Sequence, residues 1–315
     1  MAVTTKDIFG ASRAPEPAVA GSYGDPPSGL RLPDSLRLGP VTLAVSDLAR
    51  SEAWYRTVLG LIPMGTPTSS EVRLGAEGAS EPLVILQTAP GVQSIRPGSR
   101  LGLYHFAILL PDRPALGRFV QHLAGIGARA GASDHLVSEA LYLTDPDGLG
   151  IEVYADRPRS TWQRLGRELM MASDPLSFPD VVAAAQGEAW TGMPAGTVMG
   201  HLHLHVGDLP RASAFYGEAL GFDRMVWRYP GALFFGAGGY HHHLGNNTWA
   251  AGASSPTERD ARLLEWRIVL PTRGDVDASH DALLKAGFAA PDMGGLVRDP
   301  WGTPLRITDS VGVTG

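Results

Sequence analysis

The chain of 315 residues contains no cysteine, which excludes disulfide bonds and thiolate ligands. A bound metal would therefore be held by nitrogen and oxygen donors. No apolar stretch approaches the roughly 20 residues needed to cross a bilayer. The N-terminus lacks a charged-then-apolar leader, so a cytoplasmic protein is expected.

Basic residues are fewer than acidic residues, 26 against 32, and are scattered along the chain. The formal net charge is −6 and the basic residues do not cluster, which argues against binding to nucleic acid or to an anionic membrane. Hydrophobic residues make up 44% and charged residues 18%, proportions typical of a globular protein with an ample core. At roughly 100–200 residues per domain, the length predicts two domains.

Four segments of the sequence repeat one pattern. Residues 39–61 and 200–222 align without a gap, and in both an apolar strand pattern ends at an aspartate, Asp47 or Asp208. An aspartate at this point can cap a helix N-terminus, and each predicted helix stops at a glycine. The four segments, which begin at 39, 102, 200 and 265, are called the first to fourth units below.

The second unit shows the order of elements most clearly. It begins with an apolar run that carries one polar residue, His105, and its last strand carries one carboxylate, Glu152. The elements predicted between them are a helix at 114–126 and strands at 139–144 and 150–154. The predicted organisation is an arm rich in Pro, Gly, Ala and Ser (1–38), a first pair of units (39–156), a connector with a helix near 180–185 (157–199) and a second pair of units (200–309).

Four tandem units of this kind resemble the vicinal-oxygen-chelate superfamily, which includes glyoxalase I and the extradiol catechol dioxygenases. The resemblance extends from residue 39 to about residue 308. It implies an α+β fold in which four βαβββ units form two curled, mixed-sheet half-barrel modules. It also implies a metal on a concave face, with ligands on the first and last strands of paired units.

Alignment of the units at these ligand places decides which units can share a metal. Pairing the first with the second puts Pro40 at a ligand place, and pairing the third with the fourth adds Arg306, whose charge opposes a cation. Pairing the second with the third assembles two histidines and one carboxylate: His105, His201 and Glu152. Such a set is typical of non-haem Fe(II) sites. The active site is therefore predicted between 102–156 and 200–250, with the outer units as a metal-free companion.

The second unit also resembles the extradiol signature, in which a histidine and a tyrosine precede the ligand glutamate. Tyr142 stands ten positions before Glu152, and His135 seven before Tyr142. The resemblance implies that Tyr142 orients the substrate and that His135 moves protons. Alternatively, Tyr142 packs on the sheet and His135 lies on a surface loop. His203 shares a strand face with His201 and either lines the pocket or is a core histidine.

The run GGYHHHLGNNTW at 238–249 resembles a ring-cleaving dioxygenase motif that contains an acid–base histidine. If the run is a strand, His241 and His243 share one face and His242 points away. The resemblance favours His243 for this role, followed by His241. It also suggests that Asn247 hydrogen-bonds the substrate and that Trp249 walls the site; the alternative is a structural or solvated histidine cluster.

The leading hypothesis is an Fe(II)-dependent extradiol dioxygenase of aromatic catabolism, which cleaves a catechol-like substrate with O2. A second hypothesis is a glyoxalase-type isomerase or transferase that uses Zn(II), Ni(II) or Mn(II) as a Lewis acid. It gains support if His241 or His243 binds the metal. A third is a metal-free small-molecule binding protein. The expected partners are a small aromatic molecule and O2, not nucleic acid or membrane, and assembly into a homo-oligomer is left open.

Overall fold

The computed structural model of the chain describes residues 3–10, 14–292 and 294–310. The helices are α1 (Thr5–Phe9), α2 (Leu48–Leu59), α3 (Arg113–Gly125), α4 (Phe178–Ala184), α5 (Leu209–Ala212) and α6 (Arg273–Lys285), with a 3-10 turn at Arg159–Thr161 and a π-helical continuation of α5 at Ser213–Ala219. The strands are β1 (Glu16–Pro17), β2 (Arg37–Leu38), β3 (Val41–Ala44), β4 (Ile62–Pro63), β5 (Glu71–Gly75), β6 (Val84–Gln87), β7 (Gly102–Leu109), β8 (Gly131–Asp134), β9 (Ser138–Thr144), β10 (Gly150–Asp156), β11 (Gln163–Leu165), β12 (Glu168–Leu169), β13 (Val198–His205), β14 (Asp223–Val226), β15 (Ala232–Gly236), β16 (Leu244–Asn247), β17 (Arg262–Leu270), β18 (Leu296–Arg298) and β19 (Pro304–Asp309). Within these ranges, no helix is long and apolar enough to cross a membrane.

The helix boundaries follow from their capping residues. The side chain of Asp112 accepts a hydrogen bond from the backbone N–H of Ala115, which satisfies a free donor at the start of α3. Asp47 caps α2 in the same way, and Gly60 ends that helix with a φ of 72°, a conformation that glycine adopts without strain. The predicted helix at 114–126 is confirmed as α3, shifted by one residue.

Two large mixed sheets combine units that are not consecutive in the chain. One has the strand order β14-β15-β16-β13-β7-β10-β9-β8 and contains the strands of the second and third units; we call it the inner-unit sheet. The other has the order β18-β19-β17-β3-β6-β5-β4, with β2 paired to β17, and joins the first and fourth units as the outer-unit sheet. A small sheet, β1-β11-β12, links the arm to the connector. The predicted α+β fold of curled mixed sheets is confirmed.

The register of the inner-unit sheet determines which side chains can meet. Ala107 on β7 is paired with Glu152 on the parallel strand β10 and with His201 on the antiparallel strand β13. Residues paired in this way point to the same face of a sheet, as do residues two positions apart on one strand. His105 and His203, which are paired with each other, therefore lie on the same face as Glu152 and His201.

The opposite face of these strands builds the hydrophobic core. The alternate positions on β7, β10 and β13 are fully buried apolar residues, namely Phe106, Ile108, Ile151, Val153, Leu202 and Leu204. They belong to one cluster with the buried faces of α2, α3 and the helix that starts at Leu209. Each buried side chain of this size contributes roughly 1.5–3 kcal/mol. The strict alternation fixes the register, because a one-residue slip would expose the core and bury polar residues in it.

Candidate metal centre and its cavity

Three potential ligands converge on the polar face of the inner-unit sheet. His105 on β7, Glu152 on β10 and His201 on β13 are at most 4% exposed, and one donor atom from each lies within 4.8 Å of the others. The Oε2 atom of Glu152 is 3.1 Å from Nε2 of His105 and 3.2 Å from Nε2 of His201. The sequence prediction placed these residues together, and the structure brings their donor atoms to one point.

The chemistry of this donor set fits a divalent cation. Nε2 of His105 is buried and makes no well-oriented hydrogen bond, despite its closeness to the carboxylate. A buried nitrogen without a partner is costly, and coordination to a metal would remove that cost. Two imidazoles and one carboxylate are the 2-His-1-carboxylate ligands of non-haem Fe(II) oxygenases.

The protonation states also suit a metal centre. Burial lowers the pKa of His105 and of His201, which keeps both imidazoles neutral with a lone pair to donate. Burial alone would raise the pKa of Glu152, but the two histidine rings beside it, His201 first and then His105, lower the pKa by more. The pKa of Glu152 is therefore held well below its usual value, so this carboxyl group is ionised.

A cavity of about 570 Å³ opens above the three residues. Its walls come from β7, β8, β9 and β13, and also from the connector and the N-terminal arm, through Met171–Ser173 and Val3. Besides the three potential ligands it is lined by Val3, Tyr104, Gly131, Ala132, Ser133, His135, Tyr142, Met171, Ala172, Ser173, His203, Tyr229, Phe234, His242 and Trp249. A cavity of this size with aromatic walls and few polar groups is typical of a small-molecule site.

Tyr142 and His135 form a hydrogen-bonded pair at the edge of this cavity. Nδ1 of His135 lies 2.6 Å from the carbonyl oxygen of Ala172, which can only accept, so Nδ1 carries the proton. Nε2 of His135 is then an acceptor, and it is paired with the hydroxyl of Tyr142. Burial, reinforced by the charge of Glu152, raises the pKa of Tyr142 well above its usual value, so the phenol is neutral.

The histidine run at 241–243 is arranged differently from the prediction. The three residues form a bend, and β16 begins only at Leu244, so strand alternation does not apply to them. His242 lines the cavity, with its ring centroid 4.1 Å from that of His201. His241 and His243 do not line it. The prediction that these two share the pocket face and that His242 points away was therefore wrong.

The partners of His241 and His243 explain where they lie. Nε2 of His241 is 2.8 Å from Oδ1 of Asp156, and its Nδ1 is 2.7 Å from Nδ1 of His242. Nδ1 of His243 accepts a hydrogen bond of 3.2 Å from the backbone N–H of Ala237. His241 thus lies behind His242 as seen from the cavity, and His243 is anchored to the loop before it.

Of the three remaining residues predicted to contact substrate, two line the cavity and one does not. His203 lines the cavity, with its ring nearly perpendicular to that of His105 and the centroids 5.0 Å apart. Trp249 lines the rim and is 49% exposed. Asn247 does not line the cavity, because its Oδ1 is 2.7 Å from Nδ1 of His205 and 3.1 Å from the backbone nitrogen of Trp249. The expectation that Asn247 contacts substrate is therefore corrected.

Several wall residues were missed by the sequence analysis, and Tyr104 shows why. Along β7, His105 pairs with His203 while Leu103 pairs with Leu204, so Tyr104 is the extra residue of a β-bulge. A bulge turns its residue out of strict alternation, and Tyr104 lines the cavity beside His105 although they are neighbours in the chain. Period-two reasoning assigns Tyr104 to the wrong face. Tyr229, Phe234 and Met171 are brought in by tertiary packing and carry no local signal.

Comparisons with known proteins were made at the level of sequence and of fold. The sequence model of the Glyoxalase/Bleomycin resistance protein/Dioxygenase superfamily matches residues 37–153 and 198–313. The chain is 42% identical over 261 residues to a catechol-2,3-dioxygenase of Bacillus subtilis (strain 168), an alignment covering 81% of this chain and 90% of that protein. At the level of fold, it is similar to a protein assigned as a dioxygenase from Bacillus subtilis, with a TM-score of 0.58, 12% identity and coverage of 89% and 87% of the two chains. Glyoxalase I from Zea mays matches with a TM-score of 0.51, 18% identity and coverage of 88% and 93%.

Proposed function

The chain belongs to the Glyoxalase/Bleomycin resistance protein/Dioxygenase superfamily, and we propose that it is an Fe(II)-dependent extradiol dioxygenase that opens the ring of a catechol with O2. The observation that carries the proposal is the buried set of His105, Glu152 and His201 beneath an aromatic-walled cavity. The 42% identity to a catechol-2,3-dioxygenase over most of both chains supports it.

The metal would be held by these three residues, with Mn(II) as the alternative to Fe(II). When bound, the metal supplies Lewis acidity that favours an ionised catechol and the redox chemistry that activates O2. The protein contributes buried ligands, two neutral imidazoles and one ionised carboxylate, which suit a divalent cation. Three protein ligands also leave coordination positions free for substrate and O2.

Removal of a proton from the catechol is assigned to Tyr142 and His135. As the substrate hydroxyl gives its proton to the Tyr142 oxygen, the hydroxyl proton of Tyr142 passes to Nε2 of His135. The carbonyl of Ala172 holds the other nitrogen of His135 in its protonated form and so keeps Nε2 ready to accept. Tyr142 ends as the neutral phenol in which it began, as its raised pKa requires.

His242 takes the acid–base role that the sequence analysis gave to His243. It is the residue of the 241–243 run that lines the cavity, and its ring packs against that of His201. Burial lowers its pKa well below the usual value, so it enters the reaction as a neutral base. Two proton-handling groups thus line the cavity, the Tyr142–His135 pair and His242.

The structural arrangement favours ring cleavage over Lewis-acid isomerisation. The isomerase hypothesis gains support if His241 or His243 acts as a fourth protein ligand. Both lie outside the cavity lining, and His241 is committed to Asp156 and His242. A metal-free binding protein would have no use for a buried carboxylate between two histidines.

The test is oxygen uptake by protein that has been reconstituted anaerobically with Fe(II) and offered a panel of catechols. Uptake should match the formation of a yellow ring-opened product, and Glu152→Ala should abolish both. Glu265→Gln is the matched control, since Glu265 lies on the first strand of the fourth unit, in the outer-unit sheet, and is paired with Arg306. Bound Fe(II) without uptake for any catechol would contradict the proposal and revive the isomerase hypothesis.

A further inference from the structure

We infer that Asp156 and His241 are positioning residues that fix the tautomer of His242, so that its Nε2 faces the cavity as an unprotonated acceptor. The catalytic consequence of this inference rests on the proposed function. The tautomer itself does not, because it is a property of the metal-free protein.

A continuous series of hydrogen bonds leads from the cavity wall toward the surface. Nδ1 of His242 is 2.7 Å from Nδ1 of His241, and Nε2 of His241 is 2.8 Å from Oδ1 of Asp156. His241 is fully buried and His242 is 4% exposed, whereas the side chain of Asp156 is 27% exposed. Both ring nitrogens of His241 therefore have a hydrogen-bond partner. A side chain that only filled space would not need both.

The direction of each hydrogen bond follows from the carboxylate at one end. An ionised carboxylate only accepts, so Nε2 of His241 must carry a proton. In a neutral imidazole the other nitrogen then has no proton, so Nδ1 of His241 accepts from Nδ1–H of His242. His242 is left with a lone pair on Nε2. The same carboxylate–histidine logic sets the tautomer of catalytic histidines in other enzymes.

The sequence and the packing both hold Asp156 and His241 in this arrangement. Asp156 lies four residues after Glu152 on β10, so both carboxylates leave the same face of one strand. The ring of His241 is held between Tyr240 and Trp162, at centroid distances of 4.1 Å and 5.5 Å. The hydroxyl of Tyr240 donates to Oδ1 of Asp156 over 3.3 Å and restrains the carboxylate from a second side.

The inference predicts a specific defect when the charge of Asp156 is removed. In Asp156→Asn the amide can donate or accept, so His241 is free to reverse and to donate to His242. His242 then carries its proton on Nε2 for part of the time and cannot act as a base. We expect kcat to fall by about 10- to 100-fold, with KM and Fe(II) content close to wild type.

The direct test is nitrogen NMR of metal-free protein labelled with ¹⁵N-histidine, with His242 assigned by its loss in His242→Gln. The wild type should show protonated Nδ1 and unprotonated Nε2 for His242, and Asp156→Asn should show a mixed or reversed tautomer. A protonated Nε2 in the wild type would overturn the inference. Since this measurement needs neither metal nor turnover, it remains decisive if no catechol proves to be a substrate.

The kinetic test separates positioning from a general loss of structure. Asp156→Asn is compared with Asp223→Asn, which removes a carboxylate from β14 of the same sheet, where it is paired with Arg31, and leaves the link between Asp156 and His241 intact. Asp223→Asn should retain kcat within about twofold, and Asp156→Glu should restore part of what Asp156→Asn loses. An unchanged kcat in Asp156→Asn, or a loss of kcat that is matched by loss of Fe(II), would contradict the inference.

Discussion

The ring centroids of His105 and His201 lie 5.5 Å apart, on neighbouring antiparallel strands that belong to different units of the repeat. Glu152 comes within hydrogen-bond distance of both, from the strand on the other side of β7. A metal at this point would tie three strands together. The site therefore exists only when the second and third units are folded on each other.

Metal binding should consequently stabilise the fold. Because the ligand set is not assembled in the unfolded chain, a metal at 100 times its Kd adds about 2.7 kcal/mol to the free energy of unfolding. For a chain of 315 residues, with an unfolding entropy of about 2.1 cal/mol/K per residue, we expect Tm to rise by about 4 °C with anaerobic Fe(II), measured by differential scanning fluorimetry. His201→Ala should remove most of this rise.

The control for the metal prediction is His205→Gln, on the same strand and face as His201 but outside the cavity lining. On addition of Fe(II), the Tm of His205→Gln should rise as much as that of the wild type, even if the metal-free variant starts from a lower Tm. An Fe(II)-dependent rise in His201→Ala as large as that of the wild type would show that the metal binds elsewhere.

Loss of the Tyr142 hydroxyl should affect turnover more than metal binding. Tyr142→Phe leaves the ring in place but removes the group that receives the substrate proton, and we expect kcat to fall by about 100-fold. Stopped-flow or steady-state oxygen uptake measures this, alongside Fe(II) content. Tyr154→Phe is the matched control: Tyr154 stands two residues after Glu152, and its hydroxyl pairs with Tyr240 rather than with a cavity group. Equal losses of kcat in both variants would indicate a nonspecific effect.

The ligand set was predictable because its determinants are local. Strand ends, capping aspartates and terminal glycines recur in each unit, and they align His105, His201 and Glu152 at corresponding places before any coordinates are known. The family resemblance implied ligand places on the first and last strands, and the choice among unit pairings then followed from chemistry, since Pro40 and Arg306 cannot serve as cation ligands. The inner-unit sheet joins the same two units.

The cavity walls were less predictable because their determinants are not local. Strand periodicity misassigned His242, which lies in a bend, and Tyr104, which lies in a bulge. Val3 of the arm reaches the cavity through a hydrogen bond from the backbone N–H of Ser173 to the Val3 carbonyl. No pattern within the arm or the connector indicates that these segments meet there. The arm, which the sequence defines only by its composition, thus forms part of the wall.

The aromatic walls should determine which catechols are accepted. Tyr104, Tyr229, Phe234 and Trp249 surround the space above the ligand set, and the Glu152 carboxylate lies at its base. A carboxylate on the substrate ring would be desolvated against apolar surface and repelled by Glu152. We expect kcat/KM for 4-methylcatechol to exceed that for 3,4-dihydroxybenzoate by more than about 10-fold, measured by initial rates of oxygen uptake.

A charge placed at the rim provides the converse test of this preference. Trp249 is half-exposed, so Trp249→Lys can hold its ammonium group in water beside the cavity. This variant should bring the kcat/KM values of the two catechols closer together, because the ammonium group raises the value for 3,4-dihydroxybenzoate. A wild-type kcat/KM that is higher for 3,4-dihydroxybenzoate than for 4-methylcatechol would contradict the expectation that the aromatic walls disfavour a carboxylated ring.

Buried histidines should make the fold sensitive to acid, and His243 should account for a measurable share. Burial, with smaller contributions from neighbouring histidines and Arg159, lowers the pKa of His243 to about 3. In the unfolded chain this imidazole titrates near 6.5, so between pH 6.5 and 3 the unfolded state binds the additional proton. Its contribution is therefore fully present above pH 6.5 and is lost as the pH falls. At pH 5 the loss is about 1–2 kcal/mol.

The variant His243→Asn isolates this contribution, because an amide oxygen can still accept from the backbone N–H of Ala237 but does not titrate. Urea unfolding of metal-free protein at pH 7.5 and at pH 5 gives the change in unfolding free energy for each chain. The wild type should lose about 1–2 kcal/mol more than His243→Asn over this interval. If the wild type and His243→Asn lose the same amount, His243 does not take up the extra proton on unfolding, and the acid sensitivity must come from the other buried histidines.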